Sequence, residues 1–248
     1  MKKLFLGTVA LMVLGTAPTM AADLAARPYT KAAPIIVAAY DWSGFYIGAN
    51  GGWGTSRKSW DFAGFSGAPL GANIAEGTHD ASGATAGGQI GYNWQASSWV
   101  FGIEAQGNWA DFKGSNVSQL FPAFTNQSKI EAFGLFTGRI GYAWNNALLY
   151  AKGGAAVVSD KYSYYPTLIG GATGSASETR WGATVGAGLE YGFTPNWSFG
   201  VEYNHLFLDS KDVTFTSPAS TVDRIKQDAD IVTARINYRW GGPVVARY

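Results

Sequence analysis

Cysteine is absent from the 248 residues. That excludes disulfides, thiol catalysis and thiolate metal sites. Histidine occurs only twice, at His79 and His205, so little remains for imidazole-based catalysis or metal binding. Charge is scarce as well: 14% of residues are charged and the formal net charge is +1, with no basic stripe or block. A nucleic-acid partner is therefore not expected. Beyond the first residues no stretch reaches the roughly 18 uninterrupted apolar residues of a helical membrane span.

What is present begins with a leader. "MKK" is a positive n-region, "LFLGTVALMVL" an apolar core and "PTMAA" a small-residue end. This is the pattern of a secretory signal peptide, residues 1–22, with cleavage expected between Ala22 and Asp23 and the Ala21 bond as the alternative. Removing Lys2 and Lys3 leaves 16 basic against 17 acidic groups, a charge of −1. The protein is expected to be exported, and an exported chain without a helical span can enter a membrane only as a closed barrel.

Residues 23–41, "DLAARPYTKAAPIIVAAYD", are rich in alanine and proline without alternation and read as a periplasmic linker. From Trp42 to Trp240 short runs alternate at every second residue. Eight are counted: 44–53, 83–94, 99–109, 130–144, 147–158, 179–193, 197–207 and 230–240. They are 10 to 15 residues long, each enough for the 9–11 residues with which a tilted strand crosses a bilayer. "QASS", "NN" and "TPN" are tight turns after the second, fourth and sixth runs, whereas the other connections span roughly 20 to 30 polar, non-alternating residues, the layout of outer-membrane barrels. The expected fold is thus all-β: a transmembrane eight-stranded antiparallel up-and-down barrel with short periplasmic turns and four long extracellular loops. Residues 241–248, "GGPVVARY", contain a proline that disfavours a continuing strand and are expected to form a short periplasmic tail.

Splitting the runs by parity gives two unlike faces. One carries Phe45, Ile47, Phe101, Ile140, Leu189, Phe199, Val201 and Ile236 with no full charge. It also carries the tryptophans that bracket the runs: Trp94, Trp99, Trp144, Trp197 and Trp240 beside the short turns or the strand end, Trp53, Trp109 and Trp181 beside the long connections. Aromatic belts at both interfaces mark a lipid-facing surface. The other face holds Glu104, Arg139, Lys152, Glu190, Glu202, Arg235 and Arg239, with Glu131 and Arg180 nearer the loops. Facing lipid, an arginine or lysine near the midplane would cost about 2–4 kcal/mol. Facing inward these groups can pair, which is what buried charge requires. A soluble ligand-binding barrel would have the opposite polarity.

In the hairpin "GAGLEYGFTPNWSFGVEY" a symmetric register sets Glu190 opposite Gly200 and Glu202 opposite Gly188. Eight strands enclose a lumen that side chains can fill. With Phe133, Leu135, Tyr150 and Leu206 also inward, low or no conductance is expected, although inward glycines such as Gly186 and Gly188 leave gaps that water could occupy. Catalysis is not expected, since Asp80 and Ser82 near His79 are neighbours in sequence only, and no metal site is indicated.

The stretches "YDWSGFYIGANGGWG" (40–54), "GGQIGYNWQ" (87–95), "GRIGYAW" (138–144), "LLYAKGGAA" (148–156) and "GAGLEYGFTPNWSFGVEY" (186–203) resemble the alphaproteobacterial porin-like outer-membrane β-barrel family. That family includes major surface proteins of rhizobia and related animal pathogens and, among them, hemin-binding proteins. The resemblance implies a place in the Gram-negative outer membrane, contact with its lipids and lipopolysaccharide, and insertion by the barrel-assembly machinery. A monomer with a structural, envelope-integrity role is the expected function, with surface binding of a host factor or a low-conductance porin as alternatives. The loop aromatics Trp60, Phe62, Phe65, Phe121, Phe124, Tyr162, Tyr164 and Tyr165 motivate the binding alternative. No cofactor is read from the residues, and haem enters only through the resemblance. Such barrels usually end on an aromatic residue, and here Trp240 is expected to end the last strand ahead of Tyr248.

Overall fold

A computed structural model describes residues 40–65, 68–168, 174–215 and 221–240. The leader, the Ala22/Asp23 bond, most of the linker and the tail 241–248 lie outside the described residues. Eight strands follow one another: β1 (Gly44–Phe65), β2 (Ala68–Ala96), β3 (Trp99–Val117), β4 (Phe124–Trp144), β5 (Ala147–Pro166), β6 (Gly174–Gly192), β7 (Trp197–Thr214) and β8 (Thr221–Trp240). Each pairs antiparallel with its neighbours, and β1 pairs with β8 to close the barrel. Closure leaves no unpaired edge, the condition for strands in lipid.

The periplasmic turns are tight because their residues reach a left-handed backbone: Ser97 and Asn145 both have φ of 56°. In the third turn Phe193 N–H donates to the Trp197 carbonyl at 3.1 Å. Glu190 stands opposite Gly200 and Glu202 opposite Gly188, the symmetric register expected of that hairpin.

The strands are far longer than a membrane needs. β2 has 29 residues and even β7 has 18, so most of the long connections are not irregular loops but a barrel wall that continues above the bilayer. Backbone pairing goes on there although hydrophobic alternation stops, because both wall faces turn mixed or polar. The inward series Ser56, Lys58, Trp60 and Phe62 is buried, while Thr55 and Arg57 outside it are exposed.

The lipid face is as the parity split describes. Trp53, Trp94, Trp99, Trp109, Trp144, Trp181, Trp197 and Trp240 are 41–61% exposed on the barrel exterior. Near the periplasmic turns they join tyrosines, with ring centroids 4.8 Å apart for Tyr92–Trp94 and 5.1 Å for Trp197–Tyr238. One assignment is corrected. Glu131 does not enter the lumen, because a register shift between Ile130 and Ala132 turns it outward, where it bonds Lys129 at 3.1 Å. Parity is preserved only while no bulge intervenes.

Candidate functional site

The interior is stacked in layers. At the periplasmic mouth Trp42, immediately before β1, is buried: its N–H donates to Gln95 Oε1 at 2.6 Å and its indole Nε1 to the Asn145 carbonyl at 3.2 Å. The Arg239 guanidinium lies over the Tyr40 ring at 4.6 Å and over Trp42 at 5.7 Å, and donates to the Pro195 carbonyl at 2.8 Å.

Midway between the belts lies the charge network. Glu104 is five residues from both Trp99 and Trp109, which sets it at mid-span. The Arg235 guanidinium bridges Glu104 and Glu202. Lys152 Nζ also bridges them, at 3.0 and 2.8 Å. Arg139 lies 3.9 Å from Glu104 and 3.7 Å from Glu190, and its Nε donates to Asn93 at 2.9 Å. Tyr46 donates to Glu104 and Tyr150 to Glu202, each at 2.7 Å, while Asn237 donates to Glu190 at 2.8 Å. Three acids thus meet three bases, all nearly inaccessible to solvent. A neutral, hydrogen-bonded set is the arrangement in which buried charge is tolerated. Of the seven residues read as this network, six come together. Arg239 does not, because it precedes Trp240 by one residue and lies a whole layer lower.

The gaps expected over inward glycines are filled. A Cβ on Gly188 would collide with the Tyr150 phenol, and one on Gly91 with that of Tyr46. Glycine is required at both positions because the phenol end of the cross-strand tyrosine occupies the space a Cβ would take.

Above the charges Asn50, Gln89 and Asn108 form an amide chain: Asn108 donates to Asn50 at 2.6 Å and Asn50 to Gln89 at 2.7 Å. Next comes an apolar layer built on Phe112, Ile130, Phe133, Leu135, Leu206 and Ile231, fully buried and contiguous. It occupies the bore at the outer end of the membrane span.

A second polar layer lies higher, outside the membrane-spanning part. Lys58 Nζ pairs with Asp160 Oδ1 at 2.7 Å, and Arg180 Nε is 3.8 Å from Asp160 Oδ2. Gln227 donates to Asp160 at 3.2 Å and accepts from Tyr162 at 3.1 Å. Over it pack Trp60, Tyr162, Val213, Phe215 and Ile225. Trp60, Phe62 and Tyr162 are therefore interior wall residues and not loop-borne contacts. Phe65 and Phe121 remain exposed, stacked edge-on against Phe62 at 5.4 and 5.8 Å.

Near the extracellular opening Glu76 and Asp223 are buried acids. Burial pushes both carboxyls up, and that of Asp223, which also feels the charge of Glu76, reaches about 8. His79 is buried too, with Nδ1 2.8 Å from Asn116 Oδ1 and Nε2 2.6 Å from Ser128 Oγ, and burial pushes its imidazole down. Asp80 and Ser82 are on the opposite, outer face of the wall and do not join His79. His205, on the exterior, holds Asp230 at 2.7 Å and packs its ring on Phe207 at 4.3 Å. With both nitrogens of His79 engaged and His205 turned to the lipid side, the histidines do not fit an axial haem-ligand role.

The signal for the upper layer was available in the sequence: Lys58, Asp160 and Arg180 continue the inward parity of β1, β5 and β6 past the aromatic belt.

The family described as the outer membrane protein beta-barrel domain matches residues 7–239. The chain is 30% identical to the 31 kDa outer-membrane immunogenic protein of Brucella melitensis, over 86% of this chain and 90% of that one. It is also 30% identical to the 22 kDa outer membrane protein of Rhizobium leguminosarum, over 71% and 69%. The solved structure of the outer membrane protein OprG from Pseudomonas aeruginosa matches with a TM-score of 0.50 at 15% identity, over 81% of this chain and 97% of that one. That likeness is one of fold.

Proposed function

The chain belongs to the outer-membrane protein β-barrel family, and from that membership we propose that it is a closed structural barrel of the Gram-negative outer membrane, neither a diffusion pore nor an enzyme. The observation that carries this reading is the pair of stacked seals in the bore. A neutral charge network at mid-span and an apolar layer above it fill the bore with paired and packed side chains, which supports a closed lumen. A wall so filled is stiff, a property suited to envelope integrity. In this reading the barrel works as a monomer, with membrane lipid and lipopolysaccharide as its neighbours and the barrel-assembly machinery as its route in.

Planar-bilayer recording on pure monomer tests the closed lumen: flat current is expected, and stable openings of nanosiemens size would overturn it. A deletion strain tests the role. Increased sensitivity to detergent is expected, and unchanged sensitivity would remove the integrity function.

Surface recognition is a second reading, favoured by the exposed Phe65 and Phe121 at the extracellular end. Titration with hemin or a host extract fraction, before and after shortening the β1–β2 and β5–β6 ends, distinguishes it from the first.

A further inference from the structure

Lys113 of β3 stands in direct register with Lys129 of β4, and Lys129 with Lys161 of β5. Three ammonium groups thus lie side by side on the outer wall. Directly opposed like charges destabilise a sheet. Among the described residues two carboxylates answer them: Asp111 is 2.8 Å from Lys113 and 3.5 Å from Lys129, and Glu131 is 3.1 Å from Lys129. Lys161 is exposed and has no hydrogen bond or ion pair among the described residues.

Another flank of the same barrel solves this problem internally. There Arg57 of β1 is in register with Asp80 of β2 on one side and Asp228 of β8 on the other. The alternation acid–base–acid needs no outside partner. The lysine row, by contrast, carries surplus positive charge.

Its height says what meets that charge. Lys113 is four residues beyond Trp109 of the extracellular belt, which at about 3.3 Å per residue and a tilt of about 40° is about 10 Å along the barrel axis. Lysine stems can bend back toward the interface from there. The row continues sideways into hydroxyls, since Ser82 pairs with Lys113 and Ser177 with Lys161. Below it, on the same strands, the lipid face is apolar: the small residues Ala105, Gly107 and Gly134 lie between the exposed Trp109, Phe136 and Ile103, and a Cβ on Gly107 would meet nothing within 4 Å. Cations above an apolar strip match an anionic headgroup above its acyl chains.

We propose that the outer face of β3–β4–β5 seats the anionic headgroup of an outer-leaflet glycolipid, the lipid A and inner-core region of lipopolysaccharide, with Lys113, Lys129 and Lys161 as its cationic contacts. The proposal rests on the outer-membrane location and not on the closed lumen, so a conducting barrel would leave it standing.

The test compares full-length folded protein with the K113S/K129S/K161S variant, heat-modifiable migration serving as the fold check. Both are titrated with purified lipopolysaccharide in phosphatidylcholine nanodiscs. At least a tenfold weaker association is expected for the triple serine variant, wild-type binding for the triple Lys→Arg variant and for Arg57→Ser, and loss of wild-type binding in high salt. Unchanged association of the triple serine variant would overturn the proposal. So would an equal loss of its incorporation into nanodiscs lacking lipopolysaccharide, which would show a general defect in lipid contact. If the serine variant fails to fold, the Lys161→Glu variant alone carries the test, and wild-type binding by it would be equally contrary.

Discussion

Lys58 Nζ is 2.7 Å from Asp160 Oδ1, and both side chains are wholly buried. Lys58 is on β1 and Asp160 on β5, opposite strands of the eight, so the pair spans the bore and ties the two walls together above the membrane. Breaking it from one side leaves a buried charge uncompensated, which costs about 3–5 kcal/mol. Lys58→Met should therefore lower the urea midpoint of the folded barrel by a corresponding amount. The double variant K58M/D160L should recover part of the loss, because it removes both charges. Equal stability of the single variant and the wild type would show that Arg180 alone satisfies Asp160.

The two seals in the bore act in series. Replacing Phe112, Phe133 and Leu206 with alanine opens the apolar layer but leaves the Glu104–Arg235–Glu202 network closed, and Arg235→Ala with Glu104→Ala does the reverse. Neither variant should conduct appreciably. Their combination should raise single-channel current well above that of either, provided the barrel still migrates as folded. Current through the apolar-layer variant alone would show that the charge network already passes ions.

Asp223 sets a pH dependence at the extracellular end. Its carboxyl is raised to about 8 in the fold, chiefly by burial and then by Glu76, against about 3.9 in an unfolded chain. A raised carboxyl favours the protonated fold. Its contribution is therefore complete below about pH 4 and falls as pH climbs to about 8, by about 1.4 kcal/mol per unit. Hydrogen exchange in 58–65 and 221–229 should speed up between pH 5 and 9 beyond the intrinsic chemical trend. Asp223→Asn should flatten that excess, and a wild-type profile in the variant would place the titration elsewhere.

Much of the barrel was legible in the residues because lipid imposes a severe filter: a face with no charge over eight runs admits few readings, and the tryptophans mark both of its edges. The same filter made the Glu190–Gly200 and Glu202–Gly188 register readable, since the turn "TPN" leaves little freedom. Above Trp53 and Trp109 the filter lapses. The outer face becomes polar and the inner one mixes charged with apolar residues, so hydrophobic alternation fades; Lys58 and Asp160 resembled loop, and of that layer Arg180 alone was placed on the inward face. Glu131 escaped because parity carries no information about a bulge. Arg239 was assigned to the right face but the wrong height, for parity gives a side and only distance from the belt gives a depth.

That depth gives Arg239 a different task. Its guanidinium covers Tyr40 and Trp42, and Trp42 is pinned to Gln95 and to Asn145 in two different periplasmic turns. The segment ahead of β1 thus closes the periplasmic mouth by one buried indole. Phe/Trp→Ala truncations in cores cost about 3–5 kcal/mol, so Trp42→Ala should destabilise the periplasmic end while sparing the extracellular one. Hydrogen exchange at 93–98 and 143–148 should rise and that at 58–62 should hold. Arg239→Lys keeps the charge but loses the flat stacking surface, and should give a smaller rise at the same turns. Uniform acceleration over the whole barrel in the Trp42 variant would mean that the mouth and the wall unfold as one unit.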